Sequence, residues 1–380
     1  MQEIKSLWWS RAIYLAGLVL ALILVIPVPW FPLQLGKVGV FAVFLAVSAV
    51  FYVFGGGWKE LARSRGLVAA LLVFLIPLAY LASFYFSIDR SVGFIGYGIE
   101  FINAVFVENL ALTFFLGFCL FKTQTSARLL LTTLLWSLAL AALFQCVSVV
   151  FGSAAIPFSA FADRTVNLIG KWNDLGLLLS LLTLFMVIRL EFSAMSKTVR
   201  AVLVVLLALA LVLLGLIHFS VVWWLLLIAS LAVAGAALVS RRISAERWSW
   251  KASPWPSLAV LLVSLLFLLY GATLNADLSS VFPVSSLEVR PSYQTTLEIM
   301  QASHQGVRGV FLGTGPNTFL NEWLIHKPAE VNQTMFWNLD FNIGFSTLLT
   351  ALATVGLVGA AAWLLPFLLF VYAVLLMLRE

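Results

Sequence analysis

Apolar runs of about 20 residues, the length that crosses the hydrocarbon core of a bilayer as a helix, recur along the whole chain and constrain its fold. Backbone groups in lipid must be satisfied within a helix or a closed barrel, and these runs do not alternate as barrel strands do. Only 10% of the 380 residues are charged, against about 25% in soluble domains. The sequence therefore predicts an all-α polytopic membrane protein.

The apolar runs predict about ten transmembrane helices, within a range of ten to twelve. They lie near 12–31, 38–55, 67–86, 104–121, 129–151, 173–190, 201–217, 220–240, 257–275 and 343–377. The first run is long for a signal peptide and has no A-x-A-like site after it, so we interpret it as a retained span. The last run is too long for one perpendicular helix, and Gly356 and Gly359 indicate a bend within it.

Basic residues alternate between the loops on the two sides of the predicted bundle. The termini and every second loop hold most of the 22 Lys and Arg residues, and the positive-inside rule places them in the cytoplasm. Seven basic residues remain outside: Lys37, Arg90, Arg164, Lys171, Arg290, Arg308 and Lys327. Both termini are therefore predicted to be cytoplasmic. The chain divides into a bundle over 1–275, one long extracytoplasmic loop over 276–342 and a final membrane segment, bent or split, over 343–380.

The loop 276–342 is predicted to be functional, because it is long and is not of low complexity. Its stretch "SYQTTLEIMQASHQ" has apolar residues at helical spacing, which predicts a short surface helix. The stretch "LGTGPNTF" has the Gly, Pro and Asn residues of a turn. Two further polar segments, 87–100 and 153–174, are expected on the same side of the membrane.

Several chemistries have no support in the sequence. There is no P-loop, no H-E-x-x-H and no G-x-S-x-G motif. The three histidines are too scattered for a metal site, and neither Cys119 nor Cys146 joins them. We therefore expect no metal and no other cofactor. We also expect no nucleic-acid partner, because in a membrane protein the distribution of basic residues matters more than the formal charge of +6.

Cations outside the membrane are candidates for an anion clamp, because the positive-inside rule disfavours them there. Arginine makes bidentate contacts with phosphate oxygens, and a lipid-linked diphosphate would need such contacts. The candidates are Arg290, Arg164, Lys171 and Arg308. The alternative is ordinary solvated charge, or weak ion pairs with neighbours such as Glu288, Asp163 or Asp174.

Other polar residues of the loop could accept a proton or contact a sugar. His326 and Asp340 are candidate general bases, as is Glu298, although each could instead be a capping or solvated residue. Trp337 could be a sugar-stacking platform or an interface anchor.

The motif order in the last quarter of the chain is similar to that of a known family. "RPSYQTTLEIM" begins at Arg290, "GTGPNTF" at Gly313 and "GLVG" at Gly356. Over about 285–365 this resembles the O-antigen ligase and polysaccharide polymerase family. The resemblance implies a metal-independent glycosyltransferase. It would move an oligosaccharide from an undecaprenyl diphosphate carrier to an unidentified acceptor, on the outer face of the bacterial inner membrane.

The resemblance has one residue that fits and two departures. Arg290 matches the arginine at the start of the family's loop helix. Phe345, followed by Ser346, stands where the ligases carry a histidine, and "IHFSVVWW" lacks their middle-span arginine. We assign catalysis to Arg290, His326 and Asp340, and substrate contacts to Arg164, Lys171, Arg308, Asn317 and Trp337.

Two alternatives stay open at the level of sequence. One is a non-catalytic relative that binds a glycan lipid or serves as a scaffold, because a family likeness does not carry activity with it. The other, less favoured, is a transporter, a class that often shows internal repeats, which are not apparent here.

Overall fold

The described part of the chain is helical, with no strand in it. The computed structural model describes residues 2–25, 33–61, 67–96, 103–156, 161, 163–243, 254–284, 290–333 and 337–379. The helices are α1 (Gln2–Ile23), α2 (Leu33–Phe54), α3 (Gly57–Leu61), α4 (Leu67–Leu72), α5 (Leu75–Tyr85), α6 (Arg90–Phe94), α7 (Ala104–Leu120), α8 (Gln124–Phe151), α9 (Trp172–Phe192), α10 (Lys197–Ile217), α11 (Ser220–Ile243), α12 (Trp255–Val281), α13 (Tyr293–Ser303), α14 (Gly306–Leu312), α15 (Phe319–His326) and α16 (Thr347–Arg379). The prediction of an all-α membrane protein is confirmed.

Among the residues that the structure describes, eight helices are long and apolar enough to cross a membrane. They are Ser6–Ile23, Gly36–Phe54, Gln124–Phe151, Trp172–Phe192, Lys197–Ile217, Ser220–Val239, Trp255–Val281 and Thr347–Leu369. Two shorter apolar segments, Ala70–Tyr85 and Ala104–Leu120, coincide with the third and fourth predicted spans. These helices are consistent with a polytopic membrane protein, while the count of ten spans and the cytoplasmic termini stay predictions.

Apolar side chains cover the exposed as well as the buried faces of these helices. On α11, Val222 and Leu226 are buried, while Trp224, Ile228 and Leu231 are more than half exposed. A helix in water would carry polar residues on its exposed face, whereas a helix in lipid does not need them. The exposed face of α11 is therefore suited to contact with lipid.

The segment 67–86, predicted as one span, contains a break. α4 ends at Leu72 and α5 begins at Leu75, with a turn at residues 73 and 74. Pro77 lies in the first turn of α5 and has no N–H to donate to the preceding turn, which favours a helix start at this place. Each of the two helices is too short to cross a membrane alone.

The chain folds into two compact units that are interleaved in sequence. Unit 1 comprises Met1–Gly17, Val38–Ala127 and Val289–Glu380, and unit 2 comprises Leu18–Lys37 and Arg128–Glu288. The division does not follow position along the chain, because Val38–Ala127 and Val289–Glu380 share unit 1, although the second segment of unit 2 separates them in sequence.

Unit 2 is built around α9 to α12. Its core holds Leu182, Met186 and Leu226, all fully buried, and polar groups join the helix ends. The Glu191 carboxylate of α9 accepts a hydrogen bond of 2.8 Å from the Ser257 amide in the first turn of α12. A negative charge at a helix N-terminus is favourable, because the amides there have no partners within the helix.

Unit 1 contains a broken helix that the turn 313–318 crosses. α16 is interrupted at Gly356, where φ is 69° and ψ is −167°, so the predicted bend at this glycine is confirmed. The Thr354 carbonyl beside the break accepts hydrogen bonds from the Gly315 amide at 2.8 Å and from the Ser83 hydroxyl at 3.2 Å. The same hydroxyl lies 2.6 Å from the Leu312 carbonyl. Ser83 of α5 thus ties the turn to the broken helix.

Candidate functional site

The polar residues of unit 1 form a layer at the end of α5. We define the cap as the described residues within 87–96 and 290–346, which include α6, α13, α14 and α15. Its two segments are joined through the Ile88 amide, which donates to the Thr314 carbonyl at 3.0 Å. It is held further by the Asn317 side chain, 3.5 Å from the Val92 carbonyl, and by a hydrogen bond between Asp89 and Asn321. The polar segments 87–96 and 313–322 therefore pack together, as their polarity suggested.

The predicted surface helix of the loop is α13. Its N-cap is Ser292, whose hydroxyl accepts from the Thr295 amide at 3.0 Å, the usual role of serine before a helix. Arg290 is exposed and lies two residues before this cap. The Phe345 amide donates to the Thr296 hydroxyl at 2.9 Å. Its ring meets Tyr293 edge-on, with ring centroids 5.9 Å apart. An aromatic pair thus lies beside the first turn of α13, close in sequence to Arg290.

A buried carboxylate lies next to a predicted base on α15. Glu322 is 3% exposed, and its Oε2 atom is 3.4 Å from Nε2 of His326, one turn further along the same helix. The His326 side chain retains 25% of its exposure, so a molecule outside the cap can reach it. The sequence analysis did not single out Glu322, although its spacing of four residues from His326 places both side chains on one face of a helix.

Hydroxyl groups continue the polar chain beneath Glu322. Thr314 hydrogen-bonds the Glu322 carboxyl group, and its hydroxyl is 2.7 Å from that of Thr318. Thr318 donates its one proton to the Gly315 carbonyl at 2.7 Å. Thr314 therefore has a single proton to give, either to Thr318 or to Glu322. This arrangement leaves room for a proton on Glu322 itself.

Glu322→Gln is expected to stabilise the protein at neutral pH. Burial raises the pKa of Glu322, while the charge of His326 and the bond to Thr314 lower it in part. With a raised pKa, the folded state binds this proton more tightly than the unfolded chain. Stability is therefore greatest below the unfolded pKa and falls as pH rises through the folded pKa. Glutamine has no proton to lose in this range, so the variant should not lose stability in this way as pH rises.

Thermal unfolding of wild type, Glu322→Gln and Glu330→Gln across pH 4 to 8 checks this expectation. Glu330 is an exposed carboxylate four residues beyond His326, so its variant loses the same charge without the burial. If wild type and Glu322→Gln show the same pH dependence, Glu322 does not carry the effect.

Two arginines are held against aromatic rings at the end of α5. The Arg308 guanidinium lies 5.8 Å from the ring centroid of Phe86. The Arg90 guanidinium lies 5.7 Å from the ring centroid of Tyr85 and donates to the Tyr85 carbonyl at 3.0 Å. Both residues are exposed, and guanidinium groups stacked in this way still have donors free in the ring plane. The sequence indicated Arg90 only as a cation outside the membrane. In the structure it lies, like Arg308, against an aromatic ring at the end of α5.

An apolar groove runs between α5 and α7, along the first two turns of α5. Its volume is about 330 Å³, and Phe74, Leu78, Leu81 and Leu112 form its walls. Glu108 is the one charged residue among the described residues that line it. The groove is thus suited to a hydrocarbon chain with a polar group near Glu108.

The remaining predicted residues lie in varied surroundings. Asp340 and Trp337 are exposed, and the Trp337 carbonyl accepts a hydrogen bond of 3.1 Å from Lys327. In unit 2, Lys171 is exposed at the N-cap of α9, and the half-buried Arg164 donates to the Val149 carbonyl at 3.2 Å. The contact of Arg164 satisfies a carbonyl in the last turn of α8. The substrate-binding roles of all these residues stay predictions.

The titratable residues of the described segments do not form a metal site by proximity. No three His, Cys, Asp or Glu residues within those segments lie close enough together to hold a metal ion. The site is therefore described through its protein groups alone.

Comparisons with protein-family models, with curated proteins and with solved structures find no match to this chain. The resemblance to the O-antigen ligase and polymerase family accordingly stays an interpretation of the motifs at Arg290, Gly313 and Gly356.

Proposed function

We propose that the protein transfers an oligosaccharide from a polyprenyl diphosphate carrier to an acceptor hydroxyl, at the outer face of a bacterial inner membrane. The observation that carries this proposal is the buried Glu322 at 3.4 Å from the accessible His326, in a polar layer built on apolar helices. A carboxylate that orients a histidine is a recurrent arrangement in general-base catalysis.

In the proposed reaction, the acceptor oxygen attacks the anomeric carbon of the first sugar. The new C–O bond forms as the bond from that carbon to the diphosphate oxygen breaks, and the diphosphate leaves with the electron pair. His326 takes the proton of the acceptor hydroxyl, and Glu322 positions the imidazole and stabilises its positive charge. Base catalysis of this kind contributes about 10²- to 10⁴-fold to the rate.

Arginines of the cap supply the positive charge that the leaving diphosphate needs. Arg308 and Arg90 lie against two adjacent aromatic residues at the end of α5, Phe86 and Tyr85, and Arg290 precedes α13. Fixed cations stabilise charge that develops in the transition state, because they do not have to reorganise during the reaction. The apolar groove beside Leu81 would hold the nearby part of the polyprenyl chain.

The proposal is tested with the purified protein reconstituted into liposomes that contain an undecaprenyl-diphosphate-linked oligosaccharide. Acceptor-dependent release of undecaprenyl diphosphate supports it. Donor that binds to the protein but stays intact would support the second candidate, and donor that crosses the bilayer intact would support a transporter.

The second candidate is a protein that binds a glycan lipid without transferring it. Phe345 favours this candidate, because an exposed aromatic pair with Tyr293 occupies the place where the ligases carry a histidine. A phenylalanine ring stacks well on sugars and on acyl chains but moves no proton.

A further inference from the structure

Unit 2 contains a second cavity, at the basic ends of three helices that are candidate membrane spans. It has a volume of about 180 Å³ and lies between α8, α9 and α10. Arg128 of α8 and Arg189 of α9 both line it. Nothing in the proposed transfer reaction uses these two arginines.

The two guanidinium groups are available to a ligand. Within the described segments, neither Arg128 nor Arg189 has a hydrogen-bond or ion-pair partner for its guanidinium, and both residues are exposed. The described residues that line the cavity include no carboxylate. Two like charges beside one cavity repel each other, so an anion between them would be favoured by both.

The rest of the cavity is apolar and lies along membrane-spanning segments. Leu131 and Leu135 come from α8, Phe185 and Ile188 from α9, and Leu203 from α10. All three helices are candidate spans. Leu131 and Ile188, which line the cavity together with the arginines, are exposed, whereas Leu135 and Leu203 are buried. A small soluble anion would leave these apolar walls without a partner, whereas an acyl chain would cover them.

We propose that this cavity of unit 2 binds an anionic phospholipid. The phosphate would lie between Arg128 and Arg189, and an acyl chain would run along Leu131, Leu135 and Leu203. Basic pockets between transmembrane helices bind anionic head groups in this manner, and each cation near the membrane surface adds to the attraction. Trp136, which also lines the cavity, is 46% exposed and suits a position at the membrane interface.

The test uses the intact purified protein and two lipids with identical acyl chains, phosphatidylglycerol and phosphatidylcholine. Lipid retained by the protein is measured by native mass spectrometry for wild type, Arg128→Gln, Arg189→Gln and Arg200→Gln. Arg200 is an exposed arginine of α10 that is not among the residues lining the cavity. We expect preferential retention of phosphatidylglycerol by wild type. Loss of either Arg128 or Arg189 should weaken this retention about fivefold, and Arg200→Gln should leave it unchanged.

Equal retention of the two lipids by wild type would overturn the proposal, and so would an equal loss in Arg200→Gln. Complete displacement of phosphatidylglycerol by inorganic phosphate would also overturn it, since the apolar walls would then contribute nothing. A second measurement does not depend on the arginine variants. Brominated phosphatidylglycerol should quench the fluorescence of wild type more than that of Trp136→Phe, and equal quenching would contradict the proposed position of the acyl chain.

Discussion

Gly313→Ala should destabilise the cap by about 3 kcal/mol, a loss typical of a steric clash combined with backbone strain. Gly313 has a φ of 67°, and an added Cβ would overlap the Thr354 carbonyl and approach the Val355 amide to 2.7 Å. These are backbone atoms next to the break in α16, so they cannot move aside as a flexible side chain would. On the other side of the crossing, a Cβ at Gly356 would come within 2.5 Å of the Phe311 carbonyl group.

Gly306→Ala is the matched control for this prediction. Gly306 also has a positive φ, 70°, but no atom lies within 4 Å of the position that its Cβ would take. This variant should be destabilised only by the strain of alanine at a positive φ, about 1 kcal/mol. Denaturant titration of both variants in detergent, followed by tryptophan fluorescence, separates the two contributions. Equal losses would mean that the crossing of the turn and α16 is not as close as described.

His326→Ala should lower the rate of oligosaccharide transfer by about 10²- to 10⁴-fold, the usual contribution of a general base. His326 is at the C-terminal end of α15 and half-buried, so its removal should cost little stability. A protonated His326 would also interact favourably with the partial negative charge at the C-terminus of α15. Transfer is measured in the reconstituted system, and thermal unfolding is measured on the same preparations.

Added imidazole distinguishes a catalytic His326 from a structural one. The His326→Ala variant leaves a space beside Glu322 that a small base can enter, and imidazole should restore part of the rate in proportion to its concentration. Undiminished transfer in His326→Ala would exclude His326 as the base. In that case Asp340, exposed on the same cap, is the next candidate.

Much of the fold could be predicted from the sequence, because lipid imposes simple rules on long apolar segments. The surface helix α13, the turn after Leu312 and the bend at Gly356 were each predicted from local patterns, and the structure confirms them. These features depend on helical periodicity and on the conformational freedom of glycine, and both can be read from neighbouring residues.

The features that were missed depend on long-range contacts. Glu322 is distinctive because it is buried under Thr314 and beside His326, and burial of a single carboxylate leaves no local mark in a sequence. Arg90 gains its importance from Tyr85 and from Arg308, which is more than 200 residues away along the chain. The interleaving of the two units likewise follows from which helices pack together, and hydropathy does not report this.

The central claim, that the Glu322–His326 pair of the cap performs group transfer, is tested most directly by one side-by-side assay. Acceptor-dependent release of undecaprenyl diphosphate is measured for wild type, Glu322→Gln and Glu330→Gln in the same liposomes. We predict similar release by wild type and Glu330→Gln, and a loss of 100-fold or more, on the order expected for a base deprived of its positioning group, in a folded Glu322→Gln. Equal release by Glu322→Gln, or intact donor with folded wild type, would contradict the account.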